Sequence, residues 1–157
     1  MTATPSSANQ FHTNHIQNLV RSFKELTGRD LIDPSLSPEE AARWLFEEAP
    51  FMVASHDGGG DPVLTYGNRT ALELFEMTWD EFTSTPSRFT AEPPNRDERA
   101  ELLRQVTENG FIDNYSGIRI SKTGRRFRIQ RATVWNVTDT NGNPAGQAAT
   151  FSNWEWL

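Results

Sequence analysis

Cysteine is absent from this 157-residue chain, so disulfides, thiolate metal centres and cysteine nucleophiles are excluded outright. Long apolar runs are missing too, and nothing approaches the ~20 residues a membrane helix needs. The opening stretch, MTATPSSANQ, lacks the basic start and apolar centre of a secretion signal. These absences lead to the expectation of a cytoplasmic protein with no membrane partner. Positive charge is in short supply: 15 Lys and Arg face 21 Asp and Glu, a net charge of −6. Binding along a phosphate backbone needs clustered positive charge, so no nucleic-acid partner is expected. Histidine is scarce, with three in all. His12 and His15 share one helical face, but two ligands leave a metal site incomplete, and no metal site is expected.

What is present suffices for one domain, since a ~150-residue chain buries roughly two-thirds of its unfolded surface. Residues 1–13 are rich in Ser, Thr, Ala and Asn and are expected to form a disordered tail. Ile16, Leu19, Val20, Phe23 and Leu26 then recur at helical spacing, and Gly28 closes the stripe. That stripe must bury itself, either on its own domain or against a second copy. Ser37-Pro38-Glu39-Glu40 is a helix start, with a capping serine, proline at the first position and a capping-box carboxylate. This second helix carries Trp44 and Leu45 inward and stops at Pro50. Residues 14–49 therefore read as a helical extension to a domain spanning 50–157. The pairs Glu39–Glu40 and Glu47–Glu48 are not catalytic dyads, because adjacent helical residues do not face each other.

Residues 51–56 and 63–66 read as two strands around a glycine-rich turn, with Phe51, Val53 and Ser55 on one face and Met52, Ala54 and His56 on the other. The turn lacks the phosphate-loop pattern and leads into a strand, so it is hairpin chemistry. Asn68 is placed to cap a helix carrying Leu72 and Phe75. After an irregular stretch around Phe89, a helix starts at Asn95 or Asp97 and runs to about Asn109. Three strands follow, at 115–121, 126–138 and 144–154. In the long middle strand the apolar phase changes between Ile129 and Ala132, which predicts a bulge near Gln130–Arg131. His56-Asp57 suggests a base and its orienter, but neighbours on a strand point to opposite faces, and no catalytic residue set emerges.

Two strands, a helical middle and three strands resemble a PAS domain, and Tyr66-Gly67-Asn68 before the helix with Ala71, Leu72 and Phe75 resembles its signature. The chain more specifically resembles the MEKHLA domain, a PAS-like family, over about residues 14–154. Gly28-Arg29, APF at 49–51, HD at 56–57, PSR at 86–88, GIR at 117–119, GRRF at 124–127, VWN at 134–136 and GQAATF at 146–151 carry the resemblance. It implies an α+β fold: a PAS-like five-stranded antiparallel sheet with helices on one face, preceded by two N-terminal helices. The family occurs as a stand-alone bacterial form and at the C-terminus of plant homeodomain–leucine-zipper regulators. With no basic region or heptad zipper here, the stand-alone form is expected.

The resemblance implies a sensory or small-ligand-binding module that signals through association and is not an enzyme. Expected pocket walls are Phe51, Val53, Leu72, Phe75, Phe89, Ile118, Ile120, Phe127 and Ile129, with Tyr66, Asn68, Arg88 and Gln147 as polar groups. No cofactor is implied for the family as a whole, so its identity stays unknown. The lack of cysteine excludes a cysteinyl–flavin photocycle, while a flavin held without an adduct remains open. A haem would need an axial histidine on the helix before the third strand, where there is none. The alternative is a ligand-free interaction module. A homodimer would form through the Ile16, Leu19 and Phe23 helix and the outer sheet face, with Trp135, Trp154 and Trp156 as contacts.

Overall fold

Apolar residues alternate on both sides of the strands, so the sheet must be covered twice. The computed structural model describes residues 2–157 and shows how. Helices α1 (Thr13–Thr27) and α2 (Pro38–Glu47) precede strands β1 (Met52–His56) and β2 (Leu64–Gly67). Short helices α3 (Arg69–Phe75) and α4 (Trp79–Phe82) and the longer α5 (Pro93–Asn109) lead into β3 (Phe111–Ile120), β4 (Arg126–Thr138), β5 (Pro144–Phe151) and β6 (Asn153–Trp156). The sheet is antiparallel in the order β2-β1-β5-β4-β3. β5 and β6 are successive stretches along one edge of β4: Thr133 pairs with Thr150, and Gln130 with Asn153. They fill the position of the single last strand predicted at 144–154 and carry it on to Trp156.

Met52, Leu64, Phe127, Ile129 and Ala132 belong to a front-face core with Ala71, Phe75 and Phe82. Val106 and Leu102 of α5 add Val134 to that side. Val53, Tyr66, Trp135 and Val137 face back, into one continuous core with α1 and α2. Ile16 and Leu19 are fully buried there, and Phe23 lies edge-on to Trp135 at 4.9 Å. The expected dimer surface through Ile16, Leu19 and Phe23 is thus corrected: the stripe is spent on the chain's own sheet, and Trp135 is buried beneath it. Part of the expected N-terminal tail is packed as well. Ser7–His12 forms a short 3-10 segment with Phe11 buried, and Trp79 Nε1 donates to Thr2 O at 3.0 Å.

The predicted bulge falls at Arg131, which has φ +54°. Between the pairs Gly117–Ile129 and Tyr115–Ala132, β4 uses one residue more than β3. Asn114, at φ +60°, returns the register on β3. Its irregular backbone interrupts the alternation, which is why β3 starts earlier than the predicted Tyr115, with Phe111 paired to Trp135. α5 likewise starts before the predicted Asn95, because proline is well suited to a first helical turn.

One side chain joins these parts. Asn68 is fully buried at the start of α3. Its Oδ1 accepts from Ala71 N and Val53 N, both at 3.1 Å, and its Nδ2 donates to Leu45 O at 3.1 Å and Phe51 O at 2.8 Å. A single amide therefore caps α3, completes β1 and holds the end of α2. Replacing it by alanine strands several buried backbone groups at ~1–3 kcal/mol each. Asn68→Ala is expected to lower the unfolding free energy by about 3 kcal/mol or more, read from the urea midpoint. Asn68→Asp keeps the acceptor but loses both donors and is expected to be destabilised as well.

Candidate functional site

On the front face, the small side chains Ala54 and Ala149 leave a space that the larger residues around them do not fill. The cavity has a volume of about 90 Å³. Met52, Leu64, Phe75, Phe82, Leu102, Leu103, Ile129, Val134 and Phe151 form its apolar walls, between the sheet and helices α3–α5. His56, Arg99, Tyr115, Arg119, Thr90 and Gln147 bring polar groups to it.

β1 ends at His56, which is 7 % exposed. Gly58 N donates to its Nδ1 at 3.0 Å, so in the neutral ring the proton sits on Nε2. That Nε2 is buried and, among the described residues, has no partner in hydrogen-bond geometry, although the Gln147 side chain lies close enough to oppose the fall of the His56 pKa. Gln147 also lines the cavity, but its Nε2 donates to Leu103 O, Thr107 Oγ1 and Asn136 Oδ1. Burial, then the nearby Arg99 charge, pushes the His56 pKa down to about 4.

On β3 the inward positions are Tyr115, Gly117 and Arg119. A Cβ at Gly117 would overlap the Tyr115 hydroxyl, so glycine there leaves that ring its place beside Arg119. The Tyr115 ring thus folds toward Arg119, whose Nη2 donates to its hydroxyl at 3.2 Å; the hydroxyl donates in turn to Glu98 Oε1 at 2.9 Å. Arg119 is 7 % exposed, and its Nη1 donates to Ile118 O at 2.9 Å. Across the cavity, burial and the Arg119 charge pull the Arg99 guanidinium down to about 10. Among the described residues, no carboxylate lies within 4.0 Å of either guanidinium.

The structure gathers Phe75, Ile129 and Gln147 of the expected pocket residues at this cavity. Phe127 is buried against Phe75, 5.2 Å between ring centres, behind the wall. Val53 and Tyr66 belong to the back core, with Phe51 and Leu72 packed on it. Asn68 is consumed by its four backbone contacts. Arg88 pairs with Asp61 on the surface, and Phe89 is 46 % exposed beneath it. Ile118 and Ile120 pair with Arg128 and Arg126, opposite in parity to Arg119, and face away from the cavity. The expectation overlooked Arg99, Tyr115 and Arg119 and set His56 aside. On β1 and β3 the alternation suits either face, and the more apolar choice lies away from this cavity. Arg119 in the GIR run, a charged residue between Ile118 and Ile120, was the available signal.

The remaining histidines take separate partners. His12 Nε2 contacts Ala3 O at 2.7 Å, and His15 Nε2 contacts Ser55 Oγ at 2.9 Å. Burial lowers the His15 pKa to about 4. Among the described residues no three His, Cys, Asp or Glu side chains are grouped to hold a metal, and no helix is long and apolar enough to cross a membrane.

This sheet with its flanking helices is the PAS fold, shared with light-oxygen-voltage domains. The PAS domain of a Colwellia psychrerythraea protein superposes with a TM-score of 0.59 at 14 % identity, covering 67 % of this chain and 86 % of that one. An RNA-binding light-oxygen-voltage receptor gives 0.61 at 18 % identity, covering 77 % and 34 %. A light-oxygen-voltage domain studied with a flavin analogue gives 0.51 at 19 %, covering 68 % and 76 %. The MEKHLA domain profile matches residues 13–156, and the chain belongs to that family. Its relatives include the homeobox-leucine zipper proteins ATHB-14 of Arabidopsis thaliana, 25 % identical over 140 residues, and HOX32 of Oryza sativa subsp. indica, 24 % identical over 140. The match covers 87 % of this chain but 16 % of each of those proteins.

His15 and His56 both have folded pKa values near 4, against an ordinary 6.5. Between those values the unfolded chain binds protons that the folded chain refuses, so stability falls as pH drops from about 6.5 toward 4. Urea titrations at pH 7.5, 6.0 and 5.0 are expected to show this loss, and His15→Asn and His56→Gln are each expected to flatten it.

Proposed function

We propose that this chain is a sensory module that binds a small ligand in the front-face cavity and transmits its occupancy through protein association. The observation that carries this reading is a mostly apolar cavity lined by His56, whose buried Nε2 has no partner in hydrogen-bond geometry among the described residues, the Gln147 side chain lying nearby. An unmade buried hydrogen bond costs ~1–3 kcal/mol, and a ligand acceptor would recover it. The PAS fold supports the reading by analogy. We read the protein as non-catalytic, because the one hydroxyl at the cavity that meets a histidine, Ser55 bonded to His15, has no carboxylate orienting that histidine among the described residues. Its net charge of −6 supports a role away from nucleic acid.

A flavin, as used with one structural neighbour, does not fit this cavity. A volume of about 90 Å³ is far below the ~300–1,000 Å³ of sites for drug-sized ligands, and no cysteine is present for an adduct. His56 does not suit a haem or metal, because its Nδ1 accepts from Gly58 N and its Nε2 carries the proton in the neutral ring. The ligand in this reading is small. A ligand-free interaction module is the second reading, favoured by exposed Trp156 and Leu157 at the end of β6.

The test is a thermal-shift screen of the full chain with small molecules of about four to eight heavy atoms, neutral and charged. A binder at a hundredfold its Kd adds ~2.7 kcal/mol, or roughly 5–10 °C for a chain of this size. Ala149→Leu, which fills the cavity, is expected to abolish the shift, with Ala54→Val as a milder filling. Light scattering with and without the binder is expected to show a change in association. If no compound gives a shift sensitive to cavity filling, the ligand-free reading replaces this one.

A further inference from the structure

The charge at the cavity is one-sided. His56 Nε2 donates, both guanidiniums donate, and Arg119 satisfies itself only with Ile118 O and the Tyr115 hydroxyl. Arginine has no acceptor atom, and two at one cavity, with burial and the Arg119 charge lowering the Arg99 pKa, mark a place short of negative charge. Glu98 is the nearest charge compensation that the hydrogen bonds reveal, and it reaches Arg119 only through the Tyr115 hydroxyl. Among the described residues six other arginines pair with carboxylate, Arg29, Arg43, Arg88, Arg104, Arg126 and Arg128, and the arginines without such a partner are exposed or half-exposed except Arg119, which is buried. The walls beyond this donor cluster are apolar.

We propose that the cavity takes a small organic monocarboxylate with a short apolar body, its carboxylate held by Arg99, Arg119 and His56 Nε2 and its body lying against Met52, Phe75 and Ile129. This rests on the ligand-binding reading above and names its ligand class. A guanidinium matches a carboxylate with parallel N–H donors, and a charge-assisted bond is roughly twice as strong as a neutral one. Histidine stays neutral in this setting, so it adds a donor without a third positive charge. Inorganic phosphate shares the anionic chemistry but leaves the apolar wall bare. The cavity volume of about 90 Å³ limits the body to a few carbon atoms. Gly117 belongs to the arrangement, because it lets Tyr115 lie beside Arg119 and hold that side chain at the cavity.

The experiment measures thermal unfolding of the full chain against sodium butyrate, butyramide, 1-butanol and inorganic phosphate, with ionic strength matched by sodium chloride. Butyrate is expected to raise the melting temperature saturably, and butyramide and phosphate to have little effect. Arg99→Gln and Arg119→Met are each expected to weaken butyrate tenfold or more, with unchanged circular dichroism. Should Arg119→Met fail to fold, Arg99→Gln on half-exposed α5 decides alone. Butyramide or butanol binding as well as butyrate, with the arginine variants unaffected, overturns the carboxylate assignment and leaves the ligand-binding reading standing. Phosphate matching butyrate overturns it too, as does a butyrate shift that survives Ala149→Leu, since the anion then binds outside the cavity. No cavity-sensitive shift from any of the four probes overturns the carboxylate assignment, and the broader neutral and charged screen then decides the ligand-binding reading by itself.

Discussion

The hydrogen bonds of Asn68 set the geometry on which the rest depends. Its amide has two donors and two acceptor lone pairs, and all four meet backbone groups from α2, the α2–β1 junction, β1 and α3. Full burial makes each contact obligatory, because none can be replaced by water. The back-face helices and the front-face helices are thereby indexed to the same strand. Thr70 Oγ1 adds a contact to Ala49 O at 2.8 Å, which fixes the same junction. The cavity walls depend on this, since Phe75 is placed by α3 and Met52 and His56 by β1.

Close backbone approaches do the remaining work. At Gly146, φ is +105° and a Cβ would overlap the His56 carbonyl, so glycine lets β5 close against the end of β1. Gly117 does the same for Tyr115 on β3. His56 on β1 and Arg119 on edge strand β3 reach the same front-face cavity, and glycine at 146 and 117 leaves the room that their neighbours occupy. The result is a cup that is well packed around its rim and deficient in acceptors inside. Buried polar groups left in that state are stabilised by whatever supplies the missing acceptor, and this links the packing of the fold to a capacity for binding.

Much of this architecture was legible in local pattern. Ser37-Pro38 and Asn68 marked helix starts through capping chemistry, and both caps form, Ser37 Oγ accepting from Glu40 N and Asn68 Oδ1 from Ala71 N. The shift of apolar phase between Ile129 and Ala132 located the Arg131 bulge, because period-2 alternation leaves no other explanation for it. The site was less legible. Val53 and Met52 are both apolar neighbours on β1, and parity alone does not say which one faces the cup. Phe89 and Arg88 looked like a wall and a polar group, yet the irregular chain around them turns both outward. Arg99 sits on a strongly polar helix in a sequence pattern like that of any surface residue, and only the placement of α5 over β3 and β4 brings it to the cavity.

The sequence by itself determined the order of elements, the covered sheet and the absence of thiol chemistry, because these follow from composition, periodicity and capping within short windows. Whether the Ile16–Phe23 stripe met the chain's own sheet or a second copy was beyond it, since an apolar stripe has the same pattern in either case. The tertiary structure decided that, and it decided the cavity. Asn68 began as a cap at a helix start with an expected place in a pocket. It ends as the joint that aligns two faces of the sheet, because its other three partners lie 15 to 23 residues away in the chain and only folding brings them within 3.1 Å.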